Sequence, residues 1–325
     1  MLLLVAELDN LLATNILRYV IAIIAITVNC FLLFLFARYK SLLQSQCNIL
    51  IAFLAMSDLF IGIGAFVKAT HSSYTDYVNM TEFSSLTCSI ISGFSIAASA
   101  TNQIAVLGVA IDRLLAVLSP LTYPKKFNWP FIIIIGVLQA LAPAVFIYLL
   151  LSGINTEEKV SVCNSGQTSD AIYKTSWSSF RLGSSLLLIS VYLLTLFLFY
   201  FQLRKSTSTA GYFAVITKSK LSFQQKITLS ISLLMLMHTV LYVIPYAVYA
   251  FSTLVDSSNN VLSSYATFIL GITTGIGACL TFFIYLWKHE ELRKYTHKTF
   301  SKSVCRRHNK KNPQVAHIIS KCQTF

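Results

Sequence analysis

The sequence predicts an all-α membrane protein, a bundle of seven transmembrane helices with the N-terminus outside and the C-terminus in the cytoplasm. The 325-residue chain is 55% hydrophobic and only 11% charged, whereas soluble domains carry about 25% charged residues. Its apolar residues form long stretches, and most of its basic residues lie in alternate connections between them and in the C-terminal tail. The net charge of +13 is therefore split into short islands, and this distribution does not favour nucleic-acid binding, which needs a basic surface with base-reading residues.

A helix needs roughly 20 mostly apolar residues to cross about 30 Å of hydrocarbon. Seven stretches of the chain meet this requirement: 16–36, 47–67, 88–111, 131–151, 180–203, 227–251 and 265–287. We therefore expect a short extracellular N-terminus over 1–15, a seven-helix bundle over 16–287 and a cytoplasmic tail over 288–325.

The tail is expected to begin with a short amphipathic helix over about 289–300. In that helix, Leu292, Tyr295 and Phe300 would face the lipid, while basic side chains meet anionic headgroups. Cys305 follows just beyond this segment and is a candidate for palmitoylation, although an unmodified cytosolic thiol is the alternative.

The orientation follows from the basic residues, which concentrate on the cytoplasmic side of membrane proteins. Of the 25 Lys and Arg residues, 20 lie in the C-terminal tail and in three connections: those between spans 1 and 2, spans 3 and 4, and spans 5 and 6. On the opposite side, Asn79 begins an Asn-Met-Thr sequon, a candidate glycosylation site. Of the seven cysteines, Cys88 and Cys163 fall in predicted extracellular positions, where oxidising conditions permit a disulfide.

Asp58 lies in the second apolar stretch, and a charge near the bilayer centre is costly enough to need a partner. One interpretation is a neutral aspartate in a helix interface. The other is a polar centre that holds water or a cation, with Asn29 and Asn102 as hydrogen-bonding partners from spans 1 and 3.

Asp112 and Arg113 stand at the predicted cytoplasmic end of span 3. The pair is either an interfacial anchor, because long basic side chains extend to the membrane surface, or a functional charge pair. Pro245 interrupts span 6, where proline removes a backbone hydrogen bond and kinks the helix. The kink is either static or a pivot.

The ordered combination of seven spans with Asn29, Asp58, the two extracellular cysteines, Asp112-Arg113 and Pro245 resembles the rhodopsin-like G-protein-coupled receptors. Within that group, the segment from Lys40 to Lys68 and the run from Ile111 to Val117 are similar to nematode serpentine chemoreceptors of the sx class.

The resemblance implies that Arg113 binds Asp112 at rest and contacts a heterotrimeric G protein when active. It also implies a central polar network at Asn29 and Asp58, a pivot at Pro245 and a coupling role for Tyr285 at the inner end of span 7. The chain departs from the group in several places. Tyr285 follows Thr-Phe-Phe-Ile rather than Asn-Pro-x-x, and Leu114 replaces the tyrosine after Arg113.

The predicted N-terminal segment is too short for a ligand-binding ectodomain, so we expect a cavity in the outer bundle. The candidate lining residues come from spans 3, 6 and 7: Ser95, Ser99, Tyr246, Tyr249 and Thr274. Each of them could instead face another helix. Span 3 has no acid in its outer half and span 7 has no lysine before Lys288, which argues against an amine ligand and a retinal Schiff base.

We therefore expect a G-protein-coupled receptor of the plasma membrane that responds to an extracellular, chemosensory small molecule. A neuropeptide-type receptor is the alternative within the class, and a secondary transporter is the alternative outside it. The chain shows no internal repeat of the kind that transporters have, no filter loop typical of channels, and six scattered histidines. We expect no enzymatic activity, no cofactor and no metal.

Overall fold

The structure is a computed structural model that describes residues 11–80, 82–119, 128–154, 158–160, 163, 165–208, 233, 236–255, 261–289 and 291–300. In these ranges, six helices are long and apolar enough to cross a membrane, and a shorter apolar helix covers Leu236–Phe251. The predicted seven-helix bundle is thus confirmed. The orientation of its termini and the limits of the extramembrane segments stay predictions, and residues 1–10 and Cys305 lie outside the described ranges.

The helices follow the apolar stretches of the sequence. The bounds are α1 Leu12–Arg38, α2 Gln46–Tyr77, α3 Ser85–Leu118, α4 Trp129–Ser152, α5 Ala171–Ser208, α7 Val261–Lys288 and α8 291–300. The described part of α6 comprises 236–238, a π-helical segment at Thr239–Val243 and the α-helix Ile244–Val255. The helices α2, α3 and α5 have 32, 34 and 38 residues, more than the roughly 20 that a membrane requires, because polar residues continue them beyond the apolar stretch.

One end of the bundle carries a small two-stranded antiparallel sheet and a disulfide. Strand β1, Phe83–Ser84, pairs antiparallel with β2, Lys159–Val160, and Cys88 at the start of α3 is bonded to Cys163. This confirms the predicted disulfide. Lys68 of α2 donates a hydrogen bond to the Cys163 carbonyl oxygen, so three segments meet at what we term the disulfide end.

The outside of the bundle is apolar on the faces that lipid would cover. Large side chains such as Ile133 and Leu141 on α4 and Phe197 on α5 are more than half exposed. A surface of this kind suits hydrocarbon, which is as apolar as the side chains themselves.

The helix α8 packs against α1 and the turn Lys40–Gln44. Leu292 is fully buried in a cluster that includes Leu35 and Leu42. The Tyr295 ring centroid lies 4.5 Å from that of Tyr39, and its hydroxyl is 2.8 Å from Ser41 Oγ. The expectation that Leu292 and Tyr295 face lipid is therefore wrong, since both contact the bundle.

Candidate functional site

A cavity of about 150 Å³ lies at the disulfide end, between α1, α2, α3, α5, α6 and α7. All five residues that the sequence analysis proposed are in its lining: Ser95, Ser99, Tyr246, Tyr249 and Thr274. The lining also includes residues that the sequence analysis did not propose, among them Arg18, Lys68, Trp177 and Phe268. Hydropathy shows that these four lie near helix ends but not which way each one faces. That the cavity binds a ligand stays a prediction.

Aromatic rings form one wall of this cavity. Tyr246 and Tyr249 of α6 belong to a buried cluster with Trp177 of α5 and Phe146 of α4, and the Trp177 and Phe146 ring centroids are 4.8 Å apart. On the other side, the Arg18 guanidinium lies 5.2 Å from the Phe268 ring centroid. An apolar wall with a few polar groups is typical of small-molecule sites.

Arg181 of α5 lies directly behind that aromatic wall and is only 1% exposed. Its guanidinium carbon is 3.9 Å from the Tyr246 ring centroid and 5.3 Å from that of Trp177. Its Nη1 donates a 2.8 Å hydrogen bond to the Ser99 carbonyl oxygen. The sequence places Arg181 near the outer end of a span, and the structure shows that it points into the bundle rather than to the membrane surface.

The central polar residues divide into two groups. Asp58 is fully buried, and Asn102 Nδ2 donates to Asp58 Oδ1 at 2.7 Å and to Ser57 Oγ at 3.2 Å. Asn29 Nδ2 instead donates to the carbonyl oxygens of Ala25 and Ala278, at 2.9 and 3.2 Å. Asn102 is therefore a hydrogen-bonding partner of Asp58, as expected, whereas Asn29 links α1 to α7.

A smaller cavity of about 30 Å³ lies deeper in the bundle, next to Asn102. Its lining includes Tyr192, His238, Tyr242 and Tyr285. Tyr285 is 8% exposed and so lies inside the bundle rather than on a surface that a partner protein touches directly. An effect of Tyr285 on coupling would therefore be indirect, through the way α7 packs against its neighbouring helices.

Pro245 is buried in α6 and follows the π-helical segment Thr239–Val243. The backbone N–H of Ile244 bonds to the Thr239 carbonyl oxygen, five residues earlier. A π-segment in an α-helix often occurs at a functional site, and here it adjoins the proline that breaks the hydrogen-bond ladder. This segment has no signal in the sequence beyond the proline itself.

At the opposite end of α3, Arg113 Nη2 lies 3.1 Å from Asp112 Oδ2. The Asp112 side chain is fully buried, while the Arg113 side chain is 21% exposed. Gln46, at the start of α2, donates to Asp112 Oδ1 at 2.8 Å and accepts from the Asn128 backbone N–H at 3.1 Å. Gln46 could not be identified from the sequence, because a lone glutamine at a helix start forms no distinctive pattern.

The remaining predictions concern glycosylation and metal binding. Asn79 is exposed after the end of α2 with a φ of 52°, and its glycosylation stays a prediction. Within the described ranges, no group of three or more His, Cys, Asp and Glu side chains is arranged to hold a metal ion.

No curated protein matches the chain. A family model described as the serpentine type 7TM GPCR chemoreceptor Srsx matches residues 22–300, a range that begins within α1 and extends through α8. This is a family of receptors. The protein therefore belongs to the serpentine type 7TM GPCR chemoreceptor Srsx family and is a multi-pass receptor of the plasma membrane.

Proposed function

We propose that the receptor binds an extracellular small molecule in the cavity at the disulfide end and activates a heterotrimeric G protein at Arg113. The observation that carries this proposal is the ion pair of 3.1 Å in which Asp112 is buried and Arg113 is partly exposed. A guanidinium held in this way is positioned by the protein but still reachable by a partner. Arginine also offers a rigid fork of donors for such a contact.

The helix α6 supports a connection between the two ends. Tyr246 lines the cavity at the disulfide end, which we term the outer cavity. Tyr242 and His238 line the smaller, deeper cavity, which we term the inner cavity. Tyr242 belongs to the π-segment, and Pro245 lies between Tyr242 and Tyr246. A ligand that displaces Tyr246 would therefore act at the point where α6 has lost regular hydrogen bonds, and the helix would move as a hinged element. The ligand would shift the population of a second conformation rather than create it.

The size of the cavity favours a small molecule over a peptide. Its volume of about 150 Å³ lies below the roughly 300–1,000 Å³ of sites for drug-sized ligands. A neuropeptide would have to bind mainly on the surface of the disulfide end. A chemosensory ligand of a few heavy atoms fits within the walls.

The test is a small-molecule screen in cells that carry reporters for several G-protein pathways. Wild-type receptor and Arg113→Ala should reach the surface equally, and only the wild type should respond to an active compound. A compound that activates both equally would disprove the role of Arg113. Activation that survives a bulky substitution in the cavity, such as Ser95→Leu, would disprove the cavity as the ligand site.

A further inference from the structure

We infer that the ligand of the outer cavity is a small carboxylic acid, whose carboxylate pairs with Arg181 while its apolar part packs on the aromatic wall. This inference rests on the proposed function, because it names the chemical class that the proposed site accepts. It goes beyond the exclusion of amines that the sequence supports.

Arg181 is the centre of the argument because it is a buried cation with unused donors. Nη1 donates to the Ser99 carbonyl oxygen, and the guanidinium also interacts with the Tyr246 side chain. Within the described part of the chain, Nε and Nη2 make no hydrogen bond of regular geometry. Charge buried in a membrane bundle is expensive and marks a functional site by default. Buried donors without partners add to that cost.

Three groups next to the Arg181 guanidinium belong to the cavity wall. Ser99, Trp177 and Tyr246 line the cavity and also touch the guanidinium. A rotation of the Tyr246 ring would bring Nε and Nη2 to the cavity, since that ring covers the guanidinium at 3.9 Å. The same rotation acts on α6 one residue from Pro245, so capture of the ligand and movement of the helix would be one event.

The charge around the cavity points the same way. Among the described residues that line it, Arg18 and Lys68 are basic and none is acidic. Arg18 contacts Phe268, and Lys68 is bonded to the Cys163 carbonyl oxygen. Neither of them is needed to bind the ligand carboxylate directly. Their positive field would nevertheless attract an anion and repel an amine. Arginine favours a carboxylate in particular, because its planar fork donates two parallel hydrogen bonds to the two carboxylate oxygens.

The experiment uses the full-length receptor in nanodiscs and compares three acids with their own primary amides. The probes are hexanoate, octanoate and phenylacetate, each measured against its amide at the same concentration and pH by the thermal unfolding midpoint, Tm. Each pair has nearly the same shape and differs in charge. At least one acid should raise Tm more than its amide does, since a ligand that binds only the folded state stabilises it.

Arg181→Gln should remove this preference and reduce acid affinity by at least about thirtyfold, the effect expected when one partner of a buried charge pair is removed. The matched control is Arg38→Gln, which changes an exposed arginine at the far end of α1 and should keep the preference. If Arg181→Gln does not fold, Arg181→Lys keeps the charge without the fork, and the acid should then bind more weakly than to wild type. The inference is overturned if no acid exceeds its amide, or if the Arg181 variant keeps the preference.

Nucleotide exchange on a G protein, measured in parallel, separates this inference from the proposed function. Acids that bind through Arg181 without driving exchange under any G protein tested would support the ligand class and contradict the coupling. Exchange driven only by amines or neutral compounds through the cavity would support the coupling and contradict the ligand class.

Discussion

Gln46 Nε2, in the first turn of α2, donates a hydrogen bond of 2.8 Å to Asp112 Oδ1. The same side chain accepts from the backbone N–H of Asn128, just before α4. Gln46 therefore holds the buried carboxylate from one side while Arg113 lies 3.1 Å away on the other. We interpret Gln46 as a positioning residue that keeps Asp112 aligned with Arg113 in the resting receptor.

We predict that Gln46→Ala raises basal nucleotide exchange severalfold. A hydrogen bond to a charged group contributes about 1.5–3 kcal/mol. Its loss should leave the Asp112 carboxylate less well oriented and so weaken its ion pair with Arg113. Nucleotide exchange on the G protein is measured without ligand, in cells with equal amounts of each receptor variant at the surface. Gln44→Ala is the control, because Gln44 is exposed two residues away. Equal basal exchange in the two variants would rule out the positioning role.

Arg113 is expected to be far more sensitive to substitution than an interfacial anchor. Arg113→Lys keeps the charge but loses the planar fork of donors, so it should reach the surface normally and lose about tenfold or more of agonist-driven exchange, on the order of 1.4 kcal/mol. Arg38→Lys, at the end of α1, is the matched control. Asp112→Asn should instead raise basal exchange. Normal signalling by Arg113→Lys at normal surface level would remove the central residue from the mechanism.

The number and positions of the spans were predictable because hydrocarbon imposes a minimum length of apolar helix. The same rule gives no rotation of a helix about its axis. Arg181 illustrates this, since its position in the sequence suits both a snorkelling side chain and the buried cation that the structure shows. Leu292 is a second case, because the apolar face of α8 could cover lipid or bundle, and only its packing on Leu35 and Leu42 decides.

In the candidate site, too, some residue positions could be predicted from the sequence and others could not. Ser95 and Ser99 are four residues apart on α3 and so share a face, and both line the outer cavity as expected. Asn29 was expected beside Asp58, but it bonds to the Ala278 carbonyl oxygen of α7 instead. An amide can satisfy either partner, and the distance between helices, which a sequence does not contain, determines the choice.

The disulfide should support folding and delivery to the surface. Cys88 and Cys163 are 75 residues apart, and a bridge over a long loop is worth about 2–4 kcal/mol. Cys88→Ser, Cys163→Ser and the double variant should reduce surface expression equally, because each breaks the same bond. Flow cytometry of a tagged receptor measures this, with Cys30→Ser as the control for an exposed free thiol. An additive loss in the double variant would contradict the prediction.

His289, directly after α7, should make the folded receptor sensitive to acid. Burial and the nearby Arg113 charge lower the pKa of His289 below its ordinary value of 6.5, against the opposing effect of Glu291. The unfolded chain therefore takes up this proton first as the pH falls. Stability is complete above about pH 6.5 and is lost as the pH decreases towards the folded-state pKa.

We predict that His289→Gln reduces the drop in Tm between about pH 7.5 and pH 5.5. The measurement is thermal unfolding of the purified receptor at both values. His297→Gln serves as the control, because His297 is exposed on α8. If both variants lose as much Tm on acidification as wild type, His289 is not a source of the acid sensitivity.

Gly277 determines how closely α6 and α7 approach. A Cβ at this position would lie 2.5 Å from the Tyr242 hydroxyl oxygen and 2.6 Å from its Cε2, and the hydroxyl donates to the Thr274 carbonyl oxygen at 3.3 Å. Gly277→Ala should therefore displace Tyr242 and cost about 1–3 kcal/mol of stability through overpacking. Gly271→Ala, on the same helix, would meet no heavy atom within 4 Å and should leave Tm nearly unchanged.

A double variant separates this clash from any other effect of replacing glycine by alanine in α7, where alanine by itself favours the helix. Tyr242→Ala removes the ring that the new methyl group would strike, so adding Gly277→Ala to it should cost much less than the same change in wild type. Thermal unfolding of the four receptors, wild type, both single variants and the double variant, gives the coupling directly. Strictly additive losses would show that Gly277 is not there to make room for Tyr242, and the close approach of α6 and α7 would need another cause.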